Sequence, residues 1–328
     1  MTALAGATAL VTGGAGTIGS TLVDQLFDAG AAQVRVLDNF VRGREANLGD
    51  ALGRDGADLV LVRGDIRDRD LVHDLTSGCD VVFHQAAIPS VARSVADPVS
   101  SNAVNVTGTL NVLVAARTAG DVRVVYASSA AVYGNADDLP LDESMPTRPA
   151  SPYGASKLAG ERYLEAFTRT YGLPTVALRY LNVFGPRQNP RSEYAAAIPR
   201  FISRSLAGEA PVIFGDGEQA RDFVFVEDVV RANLLAADTG ERAWGRAFNI
   251  GRGERRTVNE LLSTIRSLVP GEHPAAVHEP PRPGEVRDSW SDIASAGETL
   301  GYHPAASFEE GLRRTIEWIE RERAADLR

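Results

Sequence analysis

Residues 7–38 read ATALVTGGAGTIGSTLVDQLFDAGAAQVRVLD, and the succession of textures inside them decides the fold. Ala7–Thr12 is an apolar run with the length of a buried strand. Glycines at 13, 16 and 19 follow immediately. Ile18–Ala29 then carries Ile18, Leu22 and Leu26 at helical spacing, and Gln33–Asp38 is a second strand that ends in a carboxylate. Strand, glycine turn, helix and strand in this order begin a parallel sheet with crossover helices. G-x-x-G-x-x-G at a strand-to-helix junction also suits a pyrophosphate. Glycine allows the tight turn and the close approach of phosphate to the main chain, and the helix N-terminus offers N–H groups and a positive dipole. Spaced glycines alone equally fit a plain turn. Asp38 strengthens the phosphate reading, because a carboxylate 19 residues past Gly19 accepts from the adenosine ribose hydroxyls and repels a 2′-phosphate. That favours NAD over NADP.

Outward from this stretch the alternation continues. Leu59–Val62, Asp80–His84, Val122–Ala127 and Thr175–Tyr180 are strand candidates, and 68–75, 102–119 and 152–171 are helical. After residue 180 prolines 186, 190 and 199 mark a loop-rich stretch, and prolines 280, 281 and 283 mark another. Residues 307–323 are amphipathic, with Phe308, Leu312, Ile316 and Ile319 on one side. The expected organisation is α/β. A Rossmann-type, doubly wound parallel sheet over residues 1–180, with 223–250 returning to it, binds NAD, and a smaller, irregular α/β substrate domain occupies most of 181–328.

Composition narrows the function. The 328 residues are 44% hydrophobic and 23% charged, with 34 basic against 43 acidic residues, a formal charge of −9. This disfavours sequence-independent binding to nucleic acid or to anionic membranes. A single cysteine, Cys79, allows neither an internal disulfide nor a cysteine zinc site. His73, His273, His278 and His303 have no partners at metal-ligand spacing, so no metal is expected. No apolar run approaches the roughly 20 residues of a membrane span. The N-terminus lacks a basic, signal-like region, and a cytoplasmic location is expected.

Of the 34 basic residues 33 are arginine, and the one lysine is Lys157. It lies four residues after Tyr153 at the start of a predicted helix, so both side chains share one face. A phenol near pKa 10 is a poor base at neutral pH. A neighbouring ammonium together with a positive nicotinamide ring would favour phenolate. An ordinary exposed pair would explain Y-x-x-x-K as well, but a lone lysine placed at random among 34 basic sites lands here about one time in 34. Arginine's planar fork does not replace a compact ammonium at close quarters. Ser129, after the strand Val122–Ala127, is placed to reach the same point.

These motifs together resemble the extended short-chain dehydrogenase/reductases, specifically the NAD-dependent nucleotide-sugar epimerases and dehydratases, and among them the UDP-N-acetylglucosamine (UDP-glucose type) 4-epimerases. The resemblance rests on TGGAGTIG (12–19), Asp38-Asn39, Gly64-Asp65-Ile66, HQAA (84–87), ASSAAVYG (127–134), SPYGASK (151–157), LRYLNVFGPRQNP (178–190), FGDGEQARDF (214–223) and RPGEVRDSWSD (282–292), in that order along nearly the whole chain. It implies that Ser129, Tyr153 and Lys157 are catalytic. It implies that Gly13, Gly16, Thr17, Ile18, Gly19, Asp38, Asn39, Gly43, Asp65, Ile66, Ala86, Ala87 and Tyr180, with Tyr153 and Lys157, bind NAD. Tyr153 then takes the proton of the sugar 4-hydroxyl while C4 is oxidised, the 4-keto sugar turns about its diphosphate, and reduction on the other face gives the epimer. Pairing of helices 102–119 and 152–171 into a homodimer is implied too.

Family 4,6-dehydratases carry Asp-Glu after the catalytic hydroxyl residue, where this chain has Ala130 and Ala131, so elimination of water is not expected. Decarboxylases of the family keep a glutamate at the position of Ala131. UDP-glucuronate 4-epimerases usually have threonine where Asn182 stands. By resemblance Pro89, Ser129, Tyr153, Asn182, Ala196 and Ser289 wall the sugar pocket. A small residue at 289 leaves space for a 2-acetamido group, whereas epimerases restricted to plain hexoses fill that position with tyrosine. Pro89 replaces the glycine more usual in the acetamido group. Ser90, Phe214, Arg221 and Arg287 complete the expected substrate site, the two arginines as diphosphate clamps and Phe214 beside the uracil. The expected reaction is UDP-GlcNAc/UDP-GalNAc 4-epimerisation, with UDP-Glc/UDP-Gal also accepted. The alternatives are an epimerase or reductase acting on another nucleotide sugar, GDP- or dTDP-linked, in a specialised pathway, and a catalytically silent NAD-binding regulator, against which the intact Ser129, Tyr153 and Lys157 argue.

Overall fold

The computed structural model describes residues 4–136, 138–189, 197–281 and 286–326. Six strands follow one another through the first half: β1 (Thr8–Thr12), β2 (Gln33–Asp38), β3 (Leu59–Arg63), β4 (Val81–His84), β5 (Arg123–Ser129) and β6 (Thr175–Tyr180). With Arg246–Ile250 at the far edge they form a seven-stranded parallel sheet in the order 246–250, β6, β5, β4, β1, β2, β3. The fold is therefore a Rossmann-type doubly wound α/β sheet. The direction of winding reverses between β1 and β4, which opens a crevice beyond the carboxyl ends of those strands.

Successive side chains of a strand point to opposite faces, and here both faces are buried. Ala9, Val11, Val125 and Ala127 point into one core, with Leu22 and Leu26 of the helix Thr17–Asp28 and Val229 and Val230 of the helix Val226–Asp238. Leu10, Val124 and Tyr126 point into the other, with Val72, Val112, Leu113, Leu164 and Phe167. The buried residues of a third core all come after 180, with Ile18 packed against them. Phe184, Phe201, Phe223, Phe225, Leu261 and the periodic Phe308, Leu312, Ile316 and Ile319 meet there. Among the described residues no helix is long and apolar enough to cross a membrane.

The structure refines several expectations. The helix expected at 68–75 is Arg69–Thr76, with Asp68 as its cap. The helix expected at 102–119 is instead a short helix Pro98–Asn102, a wide π-type turn Ala103–Gly108 and a helix Thr109–Thr118. Local side-chain needs widen that turn. Asn105 bonds the main chain of Ile88 in both directions, and a Cβ on Gly108 would lie 2.4 Å from the Ile66 side chain. Within the loop-rich stretch after 180, Asn182–Phe184 pairs in parallel with Phe223–Phe225.

Candidate active site

The glycine loop fills the crevice at the switch point. Gly13 has φ +70, and a Cβ there would sit 2.7 Å from the main chain of Ala86. One on Gly19 would sit 2.3 Å from the carbonyl of Gly13. Only glycine lets β1, the helix and the end of β4 come this close. Asp68, Ser90, Asp97, Ser151 and Thr257 cap their helices with a side-chain oxygen. The helix at Thr17 begins on Gly16 without a side-chain cap and with no acidic residue in its first turn. Its end is thus left to an external anion, and the residues fit the pyrophosphate of NAD.

The rest of the expected cofactor set gathers around this loop. Asp38 Oδ2 accepts from Ala15 N at 3.0 Å and Oδ1 from Phe40 N at 2.8 Å, so the carboxylate fixes both the glycine loop and the turn after β2. A carboxylate still has lone pairs for ribose hydroxyls. Gly43 lies so close that a Cβ would stand 2.9 Å from Asp38 Oδ2. Asn39 donates to Asp65 Oδ2 at 3.2 Å, and Arg67 bonds both carboxylate oxygens of Asp65. Those bonds hold the Asp65 carboxyl down at about 2. Ile66 is buried, and Ala86 N donates to Thr12 Oγ1 at 3.3 Å, with Ala87 half-buried beside it. Thr17 Oγ1 donates to the carbonyl of Arg187 at 3.1 Å, and the half-buried Ile18 touches two of the cores. The hydroxyl of Tyr180 is engaged with Gln85 and Asn233.

Ser151 caps the helix Pro152–Tyr171 and Pro152 opens it, which places Tyr153 and Lys157 one above the other. Gly154 brings this helix against the turn after Ser129; a Cβ there would lie 2.5 Å from the carbonyl of Ala131. The Ser129 hydroxyl accepts from Ala131 N at 3.2 Å and lies near enough to the Tyr153 phenol to favour its charged form. Lys157 is 3% exposed; its Nζ donates to the carbonyl of Ala127 at 2.7 Å and stands 4.9 Å from the Tyr126 ring. Burial drives its pKa down to about 7, against the opposing charge of Glu161. Burial also pushes the Tyr153 phenol up, and the nearby Ser129 hydroxyl only partly offsets this. The lowering expected from Y-x-x-x-K is thus not produced by the chain's own groups. A positively charged nicotinamide held beside the phenol would favour the phenolate.

Most of the residues expected to hold substrate lie on segments after 180. Asn182 N donates to the carbonyl of Asp222 at 3.0 Å, and Ser289 forms a two-way backbone ladder with Ala220 and Asp222. Arg221 Nη1 donates to the carbonyl of Arg287 at 2.6 Å. Arg287 is exposed and pairs with Asp216 at 3.1 Å. Ser90 caps the helix Val91–Ala96 with its hydroxyl. Phe214 ends a short strand, with the Arg200 guanidinium 6.0 Å from its ring. Ala196 lies outside the described residues.

Sequence reasoning missed two buried networks here. His84 bridges Thr12 Oγ1 (2.7 Å) and Thr109 Oγ1 (2.9 Å), and Asn105 on the same wide turn donates to Ser156 Oγ at 2.9 Å, which donates to the carbonyl of Tyr153 at 2.7 Å. Burial, helped by the Lys157 charge, pushes the His84 imidazole down to about 3. It is a neutral strut between the end of β1 and the helix Thr109–Thr118. Second, Glu161 takes a two-pronged ion pair from Arg179 and a short bond, 2.5 Å, from Ser128. Arg179 continues to Tyr133 and thence to Asn249. The position of Glu161, one turn past Lys157, was the available signal.

A family model described as the NAD dependent epimerase/dehydratase family matches residues 9–251. The UDP-glucose 4-epimerase of Mycolicibacterium smegmatis is 43% identical over 312 residues, covering 94% of this chain and 97% of that protein. The solved UDP-N-acetylglucosamine 4-epimerase of Methanobrevibacter ruminantium, in complex with UDP-N-acetylmuramic acid, superposes with a TM-score of 0.91 at 38% identity, covering 97% of this chain and 99% of that one. The UDP-glucose 4-epimerase of Thermus thermophilus in complex with NAD gives 0.85 at 37%, covering 95% and 99%. With a glycine cradle at the switch point, and a tyrosine and a buried lysine one turn apart on one helix already in place, this similarity along the full chain means that the protein is an NAD-using enzyme of the NAD dependent epimerase/dehydratase family.

Proposed function

We propose that the enzyme is a nucleotide-sugar 4-epimerase whose main substrates are UDP-GlcNAc and UDP-GalNAc, with UDP-Glc and UDP-Gal also accepted. The observation that carries the reading is that Ser129, which accompanies Tyr153 and Lys157, is followed directly by two methyl side chains, Ala130 and Ala131. Methyl groups transfer no protons, so the elimination that makes a 4,6-dehydratase has neither its acid nor its base. What remains is reversible oxidation at one carbon. Bound NAD supplies the hydride acceptor and donor for it.

Tyr153 Oη takes the proton of the sugar 4-hydroxyl as C4 is oxidised, and returns a proton to the same oxygen when C4 is reduced from the other face. Ser129 Oγ donates to that oxygen and keeps it in line with the phenol. Lys157 holds the nicotinamide ribose and lends its charge to the phenolate. Arg221 and Arg287 hold the diphosphate while the keto sugar turns, and Arg287 exchanges its contact with Asp216 for phosphate. The small side chain of Ser289 supports acceptance of a 2-acetamido group, and the names of the similar epimerases support UDP as carrier.

The purified enzyme, incubated with UDP-GlcNAc and followed by proton NMR, is expected to reach a mixture with UDP-GalNAc without added cofactor. UDP-glucose is expected to give UDP-galactose more slowly. Conversion of only a GDP- or dTDP-linked sugar would move the substrate assignment. Conversion of none, with NAD retained, would overturn the reading.

A further inference from the structure

We propose that Asp222 is the positioning residue of the sugar pocket. Its buried carboxylate sets the distance between the walls that carry Asn182, Arg221 and Ser289, and so sets substrate affinity and the choice between plain and 2-acetamido sugars. This rests on the assignment of those three residues to the nucleotide sugar.

Asp222 is fully buried. Oδ1 accepts from Arg252 N at 2.8 Å. Oδ2 accepts from Gly253 N at 3.1 Å, from Ser291 Oγ at 3.1 Å and, at a longer 3.5 Å, from Ser291 N. One side chain therefore joins the turn at 251–253 to the segment 289–291. Its main chain joins two more pieces, since the carbonyl accepts from Asn182 N and the N–H donates to the carbonyl of Ser289 at 2.9 Å. Arg221 is its chain neighbour. Asn182 and Ser289 are thus tied to Asp222 by hydrogen bonds and Arg221 by the chain.

The strands here explain why a carboxylate is needed. Ala220–Arg221 pairs with Arg256–Thr257 over two residues only, and Arg221 meets Ser289 through an isolated bridge. Ladders this short contain too few backbone bonds to fix their spacing. The carboxylate supplies further bonds at the point where three segments converge. The fit leaves little slack, because a Cβ on Gly251 would lie 2.4 Å from Asp222 Oδ2 and 2.9 Å from Ser291 Oγ. A carboxylate with several donors is also an expensive group to bury unless each bond is made, so small shifts of the walls are resisted. Its contribution to substrate recognition is preorganisation.

The test uses the full-length holoenzyme as wild type, Asp222→Asn and Ser291→Ala. Asparagine keeps the size but turns an NH2 group towards donors. Bound NAD, melting temperature, UDP affinity by calorimetry, and kcat and KM for UDP-GlcNAc and UDP-glucose are measured for each. Asp222→Asn is expected to raise KM for both sugars about tenfold and to weaken UDP similarly, with NAD content unchanged and kcat within threefold. The ratio of kcat/KM for the two sugars is expected to shift at least threefold. Ser291→Ala moves KM and that ratio the same way by a smaller factor. Wild-type KM and selectivity in both variants would overturn the proposal, as would a fall in kcat and stability at unchanged KM. If Asp222→Asn does not fold, Ser291→Ala decides by the same two criteria. If the wild type converts neither sugar, the proposed reaction fails on its own, and the UDP affinities still decide the role of Asp222.

Discussion

Lys157 shows what a reactive group costs the fold. Its pKa in the folded chain, about 7, lies below the usual 10.5, so between these values the unfolded chain holds a proton that the folded one gives up. Stability contributed by this site falls as pH drops from 10.5 towards 7. Lys157→Met removes the penalty. In cofactor-stripped protein at pH 7 its melting temperature should exceed that of wild type by several degrees, and the gap should narrow at pH 9. Turnover should fall by about 10² or more. A less stable variant would show that the bond to Ala127 outweighs the buried charge. His84 is the second residue with a buried cost. Its folded pKa of about 3 against 6.5 means stability is complete above pH 6.5 and is lost as pH falls through that window. The loss is at most about 1.4 kcal/mol per pH unit. Urea unfolding at pH 7, 6 and 5 should show a steeper loss for wild type than for His84→Asn. Parallel slopes would remove His84 from the account.

At the scale of elements, the Glu161–Arg179 pair welds the helix of Lys157 to the ends of β5 and β6. Each partner adjoins a site residue: Ser128 precedes Ser129, Arg179 precedes Tyr180, and Glu161 follows Lys157 by one turn. Both charges are about 5% exposed. Glu161→Gln leaves a buried guanidinium without its counter-charge and should cost about 3–5 kcal/mol in chemical unfolding. The double variant Glu161→Met, Arg179→Met should recover part of that loss; a double variant no better than the single one would place the cost in packing. The sequence reveals the helix and β6 separately but not this joint. Period-2 and period-3.6 patterns are local, and so is the Gly13–Gly19 loop, which is why the parallel sheet and its glycine turn are readable before any coordinates, whereas the order of the strands is not. A partner for Glu161 is not readable. It sits 18 residues on, on another element, among 33 arginines with nothing local to single it out. Asp222 is hidden for the same reason, since its donors come from residues 252, 253 and 291. Tyr153 is half-legible. Its neighbours follow from spacing, but its pKa depends on burial and on the charge of a bound ring.

Across the whole molecule, apolar surface is unevenly spread. Among the described residues, the large hydrophobic side chains that remain exposed include Val91, Val95 and Val99 at 44%, 64% and 78%, and Tyr163 and Tyr171 at 39% and 45%. The first three lie on the two short helices packed against the helix Pro152–Tyr171, which carries the other two. Scattered apolar residues need no explanation, but a set gathered on adjoining helices marks a surface that excludes water by meeting another one. A second copy of the chain is the expected occupant, because helix pairs of this kind are self-complementary about a two-fold axis and form a closed pair. The site residues Tyr153 and Lys157 lie on the same helix, so pairing would also stiffen the element that positions them. Light scattering coupled to size exclusion should give twice 35.0 kDa for wild type. Val95→Glu with Tyr163→Glu should give 35.0 kDa, with lower turnover and, because the glycine loop and Asp38 lie on other elements, with bound NAD retained. A wild-type mass of one chain at every concentration tried would sink the expectation, and a dimeric double variant would move the interface elsewhere.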